Sequence, residues 1–309
     1  MQHRSLLSWL AASGLCVSFF LSWSSTCAWA ADKIQAVASF SILGDMLRQV
    51  GGDRVEVTTL VGPNGDAHVY QPTPSDAKRL SEATLLVING LGFEGWLPRL
   101  QQSSGFKGVV VTASKGVKPQ QMIEEGGDKP KQVTDPHAWH SLANGRIYAE
   151  NIRDGLIQAD PEGKTAYEAN AAKFMAAIDE LEQQVRATIE KVPSTKRKII
   201  TSHDAFGYFG AAYGIRFIAP QGVSTESEAS AKDVAKIIRQ IRREKIPAVF
   251  LENITDKRLL EQISRETGAK IGGELYSDAL SDAGGPAPTY FQMVRHNFET
   301  LTAALSVSH

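Results

Sequence analysis

Between Leu142 and Val192 the chain has almost no strand-forming run, while on either side of that stretch strands and helices alternate. This alternation constrains the fold more than any other feature. Ahead of it come the short apolar runs "KIQAVAS", "RVEVTTLV", "TLLVING" and "GVVVTAS". The segment "SILGDMLRQVGG" places Ile42, Leu43, Met46, Leu47 and Val50 at helical spacing and ends on glycine, and "PSDAKRLSE" reads as a short helix. Behind it come the strands "RKIITS", "AVFLEN" and "KIGGELYS" and the helices "HDAFGYFGAAYG", "SAKDVAKIIRQIRREK" and "PTYFQMVRHNFETLTAALS". Ser230 and Asp233 open the second of these helices with capping-box spacing. Such alternation predicts parallel sheets with helices on both faces. In the middle, "LANGRIYAENIRDGLIQADP" precedes "KTAYEANAAKFMAAIDELEQQVRATIEKV", which nothing breaks before Pro193. That run predicts one helix of nearly 30 residues, ~45 Å long. The expected architecture is α/β. It has two lobes, each a mainly parallel sheet flanked by helices, at 31–160 and 194–309, joined by one long rigid helix at 161–193. "SKGVKPQQMIEEGGDKPKQVTDP" lacks sustained periodicity and is expected to be a mobile loop.

The first thirty residues read as a secretory signal peptide. Arg4 is their only Lys, Arg, Asp or Glu, an apolar run from Leu10 to Leu21 follows, and "AWA" closes the stretch at Ala30. Serines interrupt the run too often for a membrane span of ~20 apolar residues. Cleavage after Ala30 would remove Cys16 and Cys27, neither in a leucine-rich lipid-attachment context, and would move the net charge from −1 to −2. The expected product is a periplasmic, cysteine-free monomer with neither disulfide nor thiolate ligand. Its balanced charge argues against nucleic acid as a partner.

In open parallel sheets, ligands bind beyond the carboxyl ends of the strands. Past residue 30 the histidines are His68, His137, His140, His203, His296 and His309. His296 lies within the terminal amphipathic helix and His309 ends the chain, so both read as ordinary surface or packed residues. His68 follows "RVEVTTLV" through the turn "GPNGDA", and His203 follows "RKIITS". Asp278 follows "KIGGELYS", and His137 stands where the loop meets a helix. Two belong to each lobe, and a cleft between lobes is a usual place for a small ligand. Alone, each is more simply a surface or capping residue. Their separations fit no local metal motif, so only the joint pattern favours a metal.

The chain resembles the metal-specific periplasmic binding proteins (the cluster A-I type) that feed zinc and manganese ABC importers. The likeness spans nearly all of the mature chain. It rests on "GDAHVYQPTPSD", "NGLGFEGWL", "DPHAWHS", "TSHDAFGYFGAAYG", "TESEASAKDV", "VFLEN" and "ELYSDALSD", in that order. It implies a metal held between two α/β lobes by His68, His137, His203 and Asp278. His137, presented by the Asp135–Pro136 turn, is then the ligand, and His140 a neighbour or a solvent-facing residue. Glu226, Glu228 and Glu252 are candidates for orienting the histidines, although surface or capping roles are simpler for each. Three imidazoles and a carboxylate suit four-coordinate Zn²⁺, while Mn²⁺ prefers oxygen-rich, six-coordinate surroundings. Manganese-type members often carry Glu where His203 stands, which favours zinc with manganese as the alternative. Against zinc, the loop from Lys118 to Thr134 offers only Glu124, Glu125 and Asp128 and no histidine. The resemblance implies delivery to a membrane permease driven by a separate ATPase. The rival class is a secreted zinc hydrolase with Asp204 as base, but a filled coordination shell leaves no site for water, so the expectation is no enzyme.

Overall fold

A computed structural model describes residues 33–124, 131–226 and 228–306. The expected signal peptide, Glu125, Asp128 and His309 lie outside the described residues. Two four-stranded sheets, both wholly parallel, carry the fold. The first has the order β2-β1-β3-β4, from β1 (Ile34–Phe40), β2 (Val55–Val61), β3 (Leu85–Ile88) and β4 (Val109–Thr112). A two-stranded antiparallel hairpin follows, β5 (Gln121–Glu124) with β6 (Lys131–Thr134). The second sheet has the order β10-β9-β7-β8, from β7 (Lys198–Ile200), β8 (Arg216–Ile218), β9 (Ala248–Glu252) and β10 (Lys270–Leu275). Helices cover both sheets, as parallel strands require.

In the first half these are α1 (Ser41–Gly51), α2 (Pro74–Glu82) and α3 (Leu97–Ser104). The start of α2 is a capping box: the Thr73 hydroxyl accepts from the Asp76 amide, and the Asp76 carboxylate accepts from the Thr73 amide. In the middle stand α4 (Leu142–Ala159) and α5 (Lys164–Ile189). The second half adds α6 (Gly207–Tyr213), α7 (Ala231–Glu244), α8 (Arg258–Thr267) and α9 (Tyr290–Ser306).

The long helix α5 has 26 residues, a little short of the expected length, because the chain leaves it at Glu190, three residues before Pro193. Its buried stripe is Tyr167, Ala171, Phe174, Ile178, Leu181, Val185 and Ile189, in steps of three or four residues along one face. That stripe joins a core shared by both sheets. Phe40, Leu85 and Val87 of the first sheet belong to the same buried cluster as Ala248, Phe250 and Leu275 of the second. Trp139, fully buried, sits in that cluster against Phe40 and Phe93, with ring centroids 5.0 Å apart in each case.

Three expectations change. The segment expected to be a mobile loop contains the β5–β6 hairpin; strands of four residues are too short to show a period in sequence. The helix expected from His203 begins only at Gly207, so His203 to Phe206 form the turn that precedes it. Strand β8, and helices α3 and α8, stand where no element was expected.

Candidate metal centre

Each of the four candidate residues is delivered by a different connection. His68 ends the turn after β2, and the Asp66 carboxylate accepts its backbone N–H at 2.9 Å. His137 follows the hairpin. The Asp135 amide donates to Gln120 O at 3.0 Å, tying the end of β6 to the residue before β5. Pro136 then turns the chain, and a single 3-10 turn, Ala138–His140, follows His137. His203 lies beyond β7, where the Ser202 and His203 amides both donate to Glu252 Oε1, at 2.7 and 3.0 Å. Asp278 lies beyond β10. Its turn is pinned by Trp139 Nε1 donating to Ser277 O at 2.9 Å and by the Asn297 side chain, which bonds both the amide and the carbonyl of Tyr276.

These connections bring one donor atom from each of His68, His137, His203 and Asp278 within 4.8 Å of one another. The Nε2 atoms of His68 and His137 are 3.2 Å apart. Asp278 Oδ2 lies 3.1 Å from His68 Nε2 and 3.2 Å from His203 Nε2, and Asp278 Oδ1 lies 3.6 Å from His137 Nε2. An ion bound tetrahedrally at ~2.0–2.1 Å has ligand–ligand edges of ~3.3 Å, which these distances bracket. The side chains of His137, His203 and Asp278 are fully buried, and that of His68 is 5% exposed. Neither oxygen of the Asp278 carboxylate accepts a well-formed hydrogen bond. A buried anion so placed calls for a cation among its neighbours.

The far side of two rings is also determined. His137 Nδ1 lies 2.8 Å from Asp135 Oδ1, which also accepts the His137 amide at 2.9 Å. His203 Nδ1 lies 2.6 Å from Glu252 Oε2. Carboxylates at Nδ1 hold a proton there and leave Nε2 as the nitrogen that faces the centre and gives up its own proton when a cation binds. Burial alone would lower the His137 pKa, but the charge of Asp278 and the hydrogen bond to Asp135 outweigh it and raise it to about 9. For His203 too, burial is outweighed, by Glu252 and Asp278, and the pKa stands well above its ordinary value. Burial leaves His68 lowered despite Asp278. Asp278 is held well below the carboxylate range, its burial outweighed by His137 and His203.

The structure thus brings together all four residues expected from sequence and leaves the others apart. His140 is 2% exposed and packs on Phe206 and Trp139, outside the cluster. Burial pushes its pKa down to about 3, so it is a neutral core histidine, not a solvent-facing one. Glu226 and Glu228 are exposed. Glu252 is the reverse of the surface residue expected: it is fully buried at the end of β9 and grips His203. Asp135 was expected only to shape a turn, yet its carboxylate holds the ring of His137. The one sequence sign of that role is its position two residues ahead of a histidine across a proline. Asp204 borders a separate cavity of about 320 Å³ with Arg216 and Lys236, and burial raises its carboxyl to about 6. His296 Nε2 lies 2.9 Å from Glu274 O, on the terminal helix.

Known proteins resemble this chain in sequence and fold. The family model described as zinc-uptake complex component A, periplasmic (ZnuA), matches residues 36–304. The manganese-binding lipoprotein MntA of Halalkalibacterium halodurans is 34% identical over 275 residues, covering 89% of each chain. The periplasmic zinc binding protein TroA from Treponema pallidum superposes with a TM-score of 0.82 at 31% identity, over 88% of this chain and 99% of that one. A manganese-bound mutant form of a periplasmic metal binding protein from Candidatus Liberibacter asiaticus gives a TM-score of 0.80 at 34% identity, over 88% and 100%. A family match over most of the chain, with relatives at 30% identity or more, places it: the chain belongs to the zinc-uptake complex component A (ZnuA) family.

Proposed function

We propose that the protein captures a divalent transition metal between its two lobes and delivers it to the permease of an ABC importer, with zinc the favoured cargo. His68, His137 and His203 would bind through Nε2 and Asp278 through its carboxylate. The observation that carries this reading is the convergence of these four donors within 4.8 Å in buried surroundings. Three imidazoles, one carboxylate and edges near those of a tetrahedral ion favour Zn²⁺. Manganese is the second reading, supported by relatives named for that metal. Four protein donors fill the shell, which leaves a catalytic water no position and disfavours hydrolysis. The same reading has residues 1–30 removed on export, lobes at 31–160 and 194–309 on a linking helix at 161–193, and a monomer that docks on a membrane permease with its ATPase.

The test is a titration of the metal-stripped mature protein with Zn²⁺ and Mn²⁺, separately and in competition. Bound metal is counted, and emission is followed from Trp139, whose ring centroid is 5.3 Å from that of His137. One Zn²⁺ per chain that excess Mn²⁺ does not displace, weakened in His203→Glu and abolished in Asp278→Ala, is the expected result. Stoichiometric Mn²⁺ retention would move the assignment to manganese, and no uptake of either ion would overturn the site.

A further inference from the structure

The four candidate ligands are not equally enclosed. His68 alone borders open space, a cavity of about 710 Å³ that also touches Tyr70, Leu91, Trp96 and Glu226. The turn that carries His68, Gly62 to Ala67, is bonded across the cleft to three separate connections of the second lobe. The Asn64 amide donates to Leu280 O at 2.9 Å, and its Nδ2 donates to Asp282 Oδ2 at 2.9 Å. Its Oδ1 accepts from Asn253 Nδ2 at 3.2 Å. Asn64 makes these bonds with φ at +55°, a left-handed conformation that asparagine tolerates better than most residues. Asp66 completes the set. One carboxylate oxygen accepts the His68 amide at 2.9 Å and the other accepts the Thr225 hydroxyl at 2.6 Å. A single side chain therefore links the most accessible ligand of one lobe to the other lobe.

We infer that Asn64, Asp66 and Thr225 form a clasp that sets how fast the cargo leaves. The inference rests on the metal-binding reading above and adds to it a kinetic control outside the ligand shell. With the other three ligands buried, the cargo departs past His68, and the turn swings outward only after the bonds to Thr225, Asn253, Asp282 and Leu280 part. A hydroxyl bonded to a carboxylate is charge-assisted and strong for its size, so Thr225 governs the opening although it touches no metal. A partner that competes for the Asp66 carboxylate or for Asn64 would release the turn, and with it the cargo.

The test measures Zn²⁺ release into excess chelator by stopped flow, for wild type, Thr225→Val, Thr225→Ser and Asn64→Gly, beside amide hydrogen exchange of residues 62–68 in the metal-free proteins. Thr225→Val keeps shape and loses the hydroxyl. It is expected to release Zn²⁺ about tenfold faster, the loss of one hydrogen bond to a charged group, with the association rate changed far less. Thr225→Ser is expected to restore the wild-type rate. Asn64→Gly suits the left-handed backbone and loses both side-chain bonds, so it too is expected to release faster. Exchange in both destabilising variants is expected to quicken at residues 62–68 and not in α5. Wild-type release from Thr225→Val, or unchanged exchange, overturns the clasp. Failure of wild type to take up metal overturns the site and the kinetic inference with it, while exchange still reports whether the turn is tethered.

Discussion

Two buried carboxylates decide which nitrogens face the centre. Glu252 spends one oxygen on two backbone amides and the other on the Nδ1 of His203, so its position is set by β9 and its effect is felt at the ring. Glu252→Gln preserves shape and can keep the acceptor for the amides, but it offers an N–H to Nδ1. The ring would then carry its proton on Nε2, where the metal should bind. A loss of about 10–100-fold in metal affinity is expected, read by competition with a chelating dye. Unchanged affinity would show that the tautomer is set elsewhere. The same scale explains why His137 and not His140 joins the cluster. The Asp135–Pro136 turn gives His137 both a carboxylate partner and a view of Asp278, whereas the 3-10 turn carries His140 round onto Phe206.

At the scale of elements, the site depends on how closely helices press on the sheets. Gly155 of α4 faces β4: a Cβ added there would lie 2.0 Å from Val111 Cγ2. Gly155→Ala gains up to about 1 kcal/mol in helix propensity but loses about 1–3 kcal/mol to overpacking. A net loss of up to about 2 kcal/mol is expected by urea denaturation. No loss would mean that the α4–β4 contact yields easily. Helix α4 also supports the site from behind. The Tyr148 hydroxyl donates to Asn89 Oδ1, and Asn89 Nδ2 donates to Pro136 O at 2.9 Å, just before His137. Buried Glu94 holds the same loop, accepting from the Ser39 hydroxyl at 2.7 Å and the Asn89 amide at 2.6 Å. Among the described residues, no helix is long and apolar enough to cross a membrane.

For the whole molecule, the metal-free protein has a pH dependence opposite to that of metal binding. His137 and His203 hold protons more tightly folded than unfolded, His137 with a pKa of about 9 against an ordinary 6.5. Groups raised in the fold contribute stability that is complete below the unfolded value and is lost as pH rises through the folded one. Thermal denaturation of the metal-free protein is therefore expected at progressively lower temperature between about pH 6.5 and 9. Metal displaces those protons, so the gain in Tm on loading should widen over the same range. A flat metal-free profile would argue against protonated His137 and His203 in the fold. His68 and His140, both lowered by burial, exert their influence below that window.

Much was legible in the sequence alone because it depends on local periodicity and on chain order. Alternating runs gave away the two parallel sheets, the unbroken run before Pro193 gave the long helix, and three positions beyond strand ends with one where a loop meets a helix gave the ligand candidates. Parallel sheets align the carboxyl ends of their strands, so a residue just past a strand is already aimed at the ligand edge. The remainder needed three dimensions. Asp135 and Glu252 look like turn and strand-end acids until folding buries them against rings that one of them meets only 49 residues away in the chain. The β5–β6 strands are too short to show a period, and their antiparallel pairing is a tertiary fact. The clasp joins Asp66 to Thr225, 159 residues apart, through one hydroxyl. Such pairings are set by which surfaces meet when the shared core closes around Trp139, and no local pattern encodes that.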